Sequence, residues 1–358
     1  MSDFIVIGGG IAGLSAAARL SALGTVTVLE MEDALGYHAS GRSAALFEEN
    51  YGNASVMALS QASSGYHHTA NGGYLTPRGL MLVAGSDQHE AFAADLDELN
   101  LHQIDLDDAC KRIPILNPKT VALTAFHGDA LDVDTDRMVQ DFAKVVRAAD
   151  GRVLTKSTVT AITRTSQGWQ VTAGSEVHEA RQLVNAAGAW VDQIANLAGV
   201  APIGITPMRR SMARLPAPGG HDVTGWPMIM GVGEAWYAKP DAGKLLVSPA
   251  DADPTDPHDA YADDMVLAEG LARYEEMVTT PVTRVESNWA GLRSFSPDGS
   301  LVLGPDPDVS DFIWCAAQGG YGFQTAPAAA RLLADLVGGR VSELDATTRA
   351  SLSPERLR

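Results

Sequence analysis

Phe4-Ile5-Val6-Ile7-Gly8-Gly9-Gly10-Ile11-Ala12-Gly13 opens the chain, and Glu30 follows 22 positions after Gly8. The first four residues are an apolar run bounded by glycines, the pattern of a buried strand. From Ile11 to Leu23 the residues are mostly Ala, Leu and Ser, with Leu14 and Ala17 or Ala18 on one face and Gly24 as a stop, which predicts a helix. Thr25 to Leu29 is β-branched and apolar, a second strand. Between strand and helix the glycines fit G-x-G-x-x-G. Gly8 permits the tight turn, Gly10 lets backbone N–H groups approach a pyrophosphate, and Gly13 lets the helix pack closely. Ile11 and Ala12 begin a helix whose N-terminus faces the anion. Glu30, with Met31 behind it, is spaced to accept hydrogen bonds from an adenosine ribose, and its charge repels a 2′-phosphate. The motif by itself leaves FAD and NAD open.

Working outward, Asp134 to Asp150 reads as a helix stopped by Gly151, and Thr325 to Val337 as a last helix with Pro327 in its first turn. Segments near Val153–Ile162, Trp169–Ala173, Leu183–Ala187, Leu301–Leu303 and Phe312–Ala317 read as strands. The stretches from about Glu49 to Gly128 and from about Ile205 to Glu286 are richer in Pro, Gly, Trp, Tyr and Met, and alternate short strand-like runs with turns. The expected class is therefore α/β. Residues 1–48, 129–204 and 287–358 form a discontinuous Rossmann-like nucleotide domain, and residues 49–128 and 205–286 a second, mainly antiparallel β domain.

Bulk properties narrow the partners. The formal charge of −18, from 44 acidic against 26 basic residues, repels phosphate backbones and argues against nucleic acid, tRNA included. The two cysteines, Cys110 and Cys315, have no metal-ligand spacing. No apolar run approaches the about 18 residues of a membrane span. The fold signal starts at Phe4, which leaves no room for a signal peptide, and a cytoplasmic protein is expected.

Three further stretches are distinctive: Gly36-Tyr37-His38-Ala39-Ser40-Gly41-Arg42-Ser43-Ala44-Ala45, Val184-Asn185-Ala186-Ala187-Gly188-Ala189-Trp190, and Gln318-Gly319-Gly320-Tyr321-Gly322-Phe323-Gln324-Thr325. Together with the N-terminal loop they resemble the D-amino-acid oxidase/glycine oxidase superfamily of FAD enzymes, and most closely the bacterial FAD-dependent D-amino-acid dehydrogenases, D-arginine dehydrogenases among them. The resemblance implies an FAD domain beside a mainly β substrate domain. It implies that Ser40, Arg42, Ser43, Ala45, Leu46 and Gly188 line the FAD, with Arg42 close to the pyrophosphate and Val159 on the adenine side. Gly320, Tyr321, Gly322, Phe323, Gln324 and Thr325 are expected along the flavin ring. A helix start near Thr325 independently suits the negative charge of a reduced flavin. Cys315 sits in an apolar strand and reads as a structural thiol, and His38 as a neighbour of the cofactor; FAD is expected to be noncovalent.

The resemblance also places the substrate carboxylate on Arg293 and Arg210, with Tyr237 and Tyr51 beside it and Gly320 and Gln324 close by. An arginine fork matches a carboxylate, and Arg293 lies in an otherwise apolar run where an unpaired charge is costly. The expected reaction is hydride transfer from the Cα of a D-amino acid to flavin N5, giving an imino acid that water converts to a 2-oxo acid and ammonia. The electron acceptor is open, and no residue stands out as general base; Glu48 and a water are both candidates. Met228 and Met230 are expected to form the side-chain wall. Leu80, in Pro77-Arg78-Gly79-Leu80, stands where D-arginine dehydrogenases carry an acid, and Leu46 where they carry a histidine. Both departures predict a preference for neutral, mainly apolar side chains, with Glu48 as the one acid that could offset them. The rival readings are a glycine- or sarcosine-type oxidase using oxygen, and a non-catalytic flavin-binding subunit.

Overall fold

The computed structural model describes residues 1–358. Strand β1 (Ser2–Ile7), helix α1 (Ile11–Leu20) and strand β2 (Val26–Leu29) confirm the opening unit, with the helix one turn shorter than its apolar pattern. β1 lies between β2 and the strand Glu176–Asn185, parallel to both. Arg152–Leu154 adds in parallel beyond β2, and Phe312–Ala316 in parallel beside the end of Glu176–Asn185. The antiparallel strands Val159–Thr165, Gly168–Ala173 and Val302–Pro305 complete eight. The expected run Val153–Ile162 is two strands of this sheet separated by a turn.

The second sheet has nine strands and is antiparallel except where Met228–Gly231 runs parallel to Leu80–Ala84. Its central strands, such as Leu80–Ala84 and Lys244–Ser248, are buried on both faces, which erases the hydropathy alternation along them while leaving the geometric one. Leu80, Leu82, Met212, Met230, Tyr237 and Leu246 pack on one face; Met81, Val83, Ala213, Ile229, Ala238 and Val247 pack on the other. Ser287–Phe295 pairs along its whole length with Thr206–Leu215, so residues 287–295 extend this sheet rather than the first.

The inserted stretches are less purely β than their texture implies. They carry four helices, at Ala54–Thr69, His89–Glu98, Leu106–Arg112 and Asp264–Glu276. Ala54–Thr69 starts where the Asn53 side chain accepts from the Ser55 and Val56 N–H groups. Its buried face is Val56, Leu59, Ser60, Ser63 and His67, too polar to show in the sequence as an apolar stripe. It packs in one core with α1 and the last helix, through Val56, Leu59, Leu14, Phe323 and Leu333.

That last helix spans Gly322–Val337, starting a turn before the expected Thr325. Pro327 therefore falls in its second turn, where its missing N–H deprives the Phe323 carbonyl of its helical donor. Two side chains of Ala54–Thr69 repair the ladder. His67 Nε2 donates to the Gln324 carbonyl at 3.1 Å, with the Phe323 carbonyl beside it. Ser63 Oγ donates to the Thr325 carbonyl at 3.3 Å and accepts from Ala328 N–H at 3.1 Å. His67 is fully buried, with nothing bonded to Nδ1, so the ring is neutral with its proton on Nε2.

Candidate active site

A single cavity of about 460 Å³ runs between the two sheets. At one end it is lined by Glu30, Met31 and Val159, then by Gly8, Gly10, Ile11, Ala12 and Gly188, and at the other end by Gly320, Gln324, Arg210, Tyr237 and Arg293. Ser40, Arg42, Ser43, Ala45, Leu46, Gly322 and Phe323 lie along it too. The structure thus gathers in one space residues from both ends of the chain.

The glycines fit the dinucleotide reading atom by atom. Gly8 has φ of +114°, and a Cβ there would stand 2.3 Å from the Ala186 carbonyl oxygen. A Cβ on Gly13 would stand 2.0 Å from the Gly8 oxygen, so Gly13 serves helix packing and does not reach the cavity. Glu30, buried, accepts from Gly9 N–H at 2.6 Å and from Glu32 N–H at 2.9 Å, which fixes where its carboxylate points. Ser40 Oγ accepts from Ile11 N–H at 3.0 Å and ties the 36–45 loop to the start of α1. A glycine cradle against a helix start, with a fixed carboxylate one strand over, suits an adenine dinucleotide.

Arg42 departs from expectation. Its guanidinium is committed to Asp259 at 2.5 Å and to the Ala260 and Ala290 carbonyls, each at 2.9 Å. It clasps the 249–263 loop to the cavity wall rather than presenting free donors to a phosphate. His38 also lines the cavity, but Nε2 is 2.9 Å from Glu32. Cys315 lies outside the lining, and burial pushes its thiol up to about 12, which makes it inert.

At the other end, register separates two adjacent arginines. Arg209 faces away and pairs with Asp251 at 3.3 Å and Asp253 at 2.7 Å. Arg210 stands opposite Gly291, and Arg293 opposite Met208, so the two guanidiniums share the cavity face on a diagonal. Arg210 Nε and Nη1 are buried without hydrogen-bond partners, and its nearest carboxylate, Glu234, is 3.9 Å away. Arg293 enters no ion pair; although burial opposes its charge, Tyr237, Tyr51 and Glu234 hold its pKa above the usual arginine value. A Cβ on Gly320 would come within 3.1 Å of Arg293 Cζ, so the bare glycine makes room for the guanidinium. Burial raises the Tyr51 hydroxyl far above the ordinary tyrosine range, against the pull of Arg293, and Tyr51 stays neutral at working pH.

Other expected site residues sit behind this surface. Tyr321, whose ring centroid is 5.3 Å from that of Tyr51, and the fully buried Thr325 lie outside the lining. Leu80, Met228 and Met230 form one apolar cluster with Leu46, Tyr51 and Tyr237. Glu48 is withdrawn: it is buried, 2.9 Å from His127 Nε2, accepts from Asn50, and does not reach the cavity. It is placed neither as a base nor as an acid for a cationic substrate. Gln324 lines the cavity and bridges the 48–51 turn, accepting from Glu48 N–H and donating to the Tyr51 carbonyl, both at 3.4 Å. His258 and Ala260, from a loop without any local motif, and Gln193, from the helix Val191–Leu197, also line the cavity and were missed.

Residues 3–336 match the family model described as "DAO: FAD dependent oxidoreductase". The chain belongs to this family. Over 171 residues it is 31% identical to FAD-dependent oxidoreductase domain-containing protein 1 of Bos taurus, covering 43% of this chain and 35% of that relative. A shorter stretch of 60 residues is 42% identical to a D-amino acid dehydrogenase of Rhizobium johnstonii, covering 17% of this chain and 14% of that one. The chain thus spans well under half the length of these curated relatives. Glycine oxidase from Geobacillus kaustophilus has the same fold, with a TM-score of 0.81 at 18% identity over 96% of both chains. The chain therefore carries the fold of the DAO family of FAD-dependent oxidoreductases, an α/β part with the dinucleotide loop beside a second, mainly antiparallel sheet. No helix is long and apolar enough to cross a membrane.

Proposed function

We propose that this chain catalyses the oxidative deamination of D-amino acids with neutral, mainly apolar side chains, using noncovalently bound FAD. One observation carries the reading: two guanidiniums, neither closely paired with a carboxylate, converge on the cavity that also holds the dinucleotide loop. Charges so placed are costly unless an anion completes them, and a bidentate carboxylate is the matching shape. Both arginines together also argue against a non-catalytic flavin subunit. When bound, FAD supplies the acceptor for the hydride leaving Cα. Arg210, Arg293 and Tyr237 hold the carboxylate and so orient Cα. Tyr51, a neutral hydroxyl beside Arg293 and Glu234, stands behind the cavity lining and supports that arginine. The imino acid product then hydrolyses to a 2-oxo acid and ammonia.

The D-configuration rests on the likeness to bacterial D-amino-acid dehydrogenases. The apolar preference rests on Leu46, which lines the cavity, backed by Leu80, Met228 and Met230 in one cluster with Tyr237. A cation pressed against these groups loses hydration without gaining a partner. The deciding measurement is kcat/KM for D-leucine, D-methionine and D-arginine, with glycine and sarcosine alongside, followed both by dye reduction and by oxygen consumption. D-leucine or D-methionine should lead, and Leu80→Glu should narrow the gap to D-arginine. If D-arginine leads, the pocket reading fails. If glycine or sarcosine leads with oxygen uptake, the chain is an oxidase of that type.

A further inference from the structure

Lys239 is a buried lysine that the reaction outlined above leaves unused. It lies two residues after Tyr237 on the same face of Tyr237–Asp241, yet it does not line the cavity. It donates to the Ala44 carbonyl and to the Ala45 carbonyl at 3.1 Å, and its ammonium is ion-paired with Asp132 Oδ1 at 2.8 Å. Asp132 is held in turn by Arg78, at 2.7 Å from Nε and 2.5 Å from Nη2. Arg78 also donates to the Thr224 and Trp226 carbonyls, at 2.9 and 2.7 Å. The cluster thus joins the turn before Leu80, the strand Leu131–Val133, the strand of Tyr237 and the 43–46 loop.

That loop has reason to need a hold. Ala44, Ala45 and Leu46 line the cavity, and Ala44 and Leu46 pack in the apolar cluster with Tyr237. Ala45 has φ of +31°, a conformation that an L-residue adopts only when its surroundings impose it. Burial pulls the Lys239 pKa down and Asp132 opposes the shift, so the cationic form depends on that carboxylate.

We propose that Lys239 is a positioning residue for the cofactor: by drawing the Ala44 and Ala45 carbonyls away from the cavity it fixes the 43–46 loop in its strained shape and sets a positive charge one peptide behind the cavity wall. This rests on FAD occupying the cavity. Two consequences are separable. The hold on the loop slows FAD loss. The charge, acting through a medium of low dielectric, favours the reduced, more negative flavin over the oxidised one.

The experiment uses purified holoprotein and measures the FAD dissociation rate and the midpoint potential of the bound flavin. Lys239→Met should release FAD at least tenfold faster. It should also lose about tenfold in relative affinity for reduced over oxidised flavin, which for a two-electron couple is about 30 mV. Lys239→Arg should restore most of the potential. Ala45→Gly added to Lys239→Met should slow release to within threefold of wild type while leaving the potential low, because glycine adopts the loop conformation without being held. A merely structural lysine predicts no such split. A folded Lys239→Met protein with wild-type release and potential overturns the proposal. Where that variant gives no soluble holoprotein, Lys239→Gln carries the same expectation for the potential, and an unchanged value overturns it equally. A wild-type chain that takes up no FAD instead refutes the cofactor reading beneath it.

Discussion

Arg293→Lys tests the carboxylate site most directly. The replacement keeps one positive charge in the cavity but removes the planar fork. Arg293 enters no close ion pair, only the longer-range field of Glu234, so a bound carboxylate is the one direct ion partner it gains. A hydrogen bond to a charged group is worth about 1.5–3 kcal/mol, and a lysine keeps one such contact at best. The shorter ammonium also leaves Tyr51 and Tyr237 facing an unfilled volume. The expected loss in kcat/KM is about 2–4 kcal/mol, roughly 30- to 1000-fold. The dinucleotide loop is untouched, so the FAD-to-protein ratio should stay at the wild-type value. Steady-state kinetics with the best D-amino acid and the absorbance ratio of purified protein measure the two quantities. A kcat/KM within twofold of wild type removes Arg293 from the substrate site, and an equal fall in flavin content places its role on the cofactor.

The remaining expectations are smaller. Gly320→Ala puts a methyl about 3.1 Å from the Arg293 guanidinium; the side chain must give way, and KM should rise about fivefold, roughly 1 kcal/mol, with kcat less affected, whereas an unchanged KM means that this contact does not set the arginine. Acid precipitation should carry the yellow colour into the supernatant; colour kept in the pellet would mean a covalent bond, with His38 and Cys315 the first residues to replace. Burial lowers His67 from 6.5 to about 4, so unfolded chains bind its proton first as pH falls, and stability should drop between pH 6.5 and 4 by about 3 kcal/mol from this group. Chemical unfolding of wild type and His67→Phe at pH 7 and pH 4.5 isolates that share, and identical pH slopes would contradict the buried neutral ring.

The parts of the site readable in the sequence are those whose constraint is local. Gly8, Gly10 and Glu30 are legible because a tight turn, a close backbone approach and a one-strand spacing all act within thirty residues. The choice between Arg209 and Arg210 was legible only through resemblance, because Asp251 and Asp253, which claim Arg209, lie about forty positions away. Leu80 and Met81 look alike in a strand buried on both faces, and only pairing tells which one faces Tyr237. The helix Ala54–Thr69 was hidden because its inward residues include Ser60, Ser63 and His67, chosen for hydrogen bonds rather than hydropathy. Arg42 lines the cavity as expected, but its pairing with Asp259 was hidden because that residue belongs to a loop with no motif of its own.

Those same serine and histidine side chains have a mechanical meaning. Beyond Pro327 the last helix is a continuous rod, but its first turn, which carries Gly322 and Gln324 at the cavity, is tied back through Ser63 and His67. The glycine-led turn at the cavity is thus less the tip of its own helix than a passenger on another. The same two helices are also bonded beyond the proline, where Ala328 N–H donates to Ser63 Oγ and Arg331 to the Ala62 carbonyl, each at 3.1 Å, so the whole of Gly322–Val337 is seated on residues 54–69. The cavity wall is in effect footed on the helix that the sequence concealed.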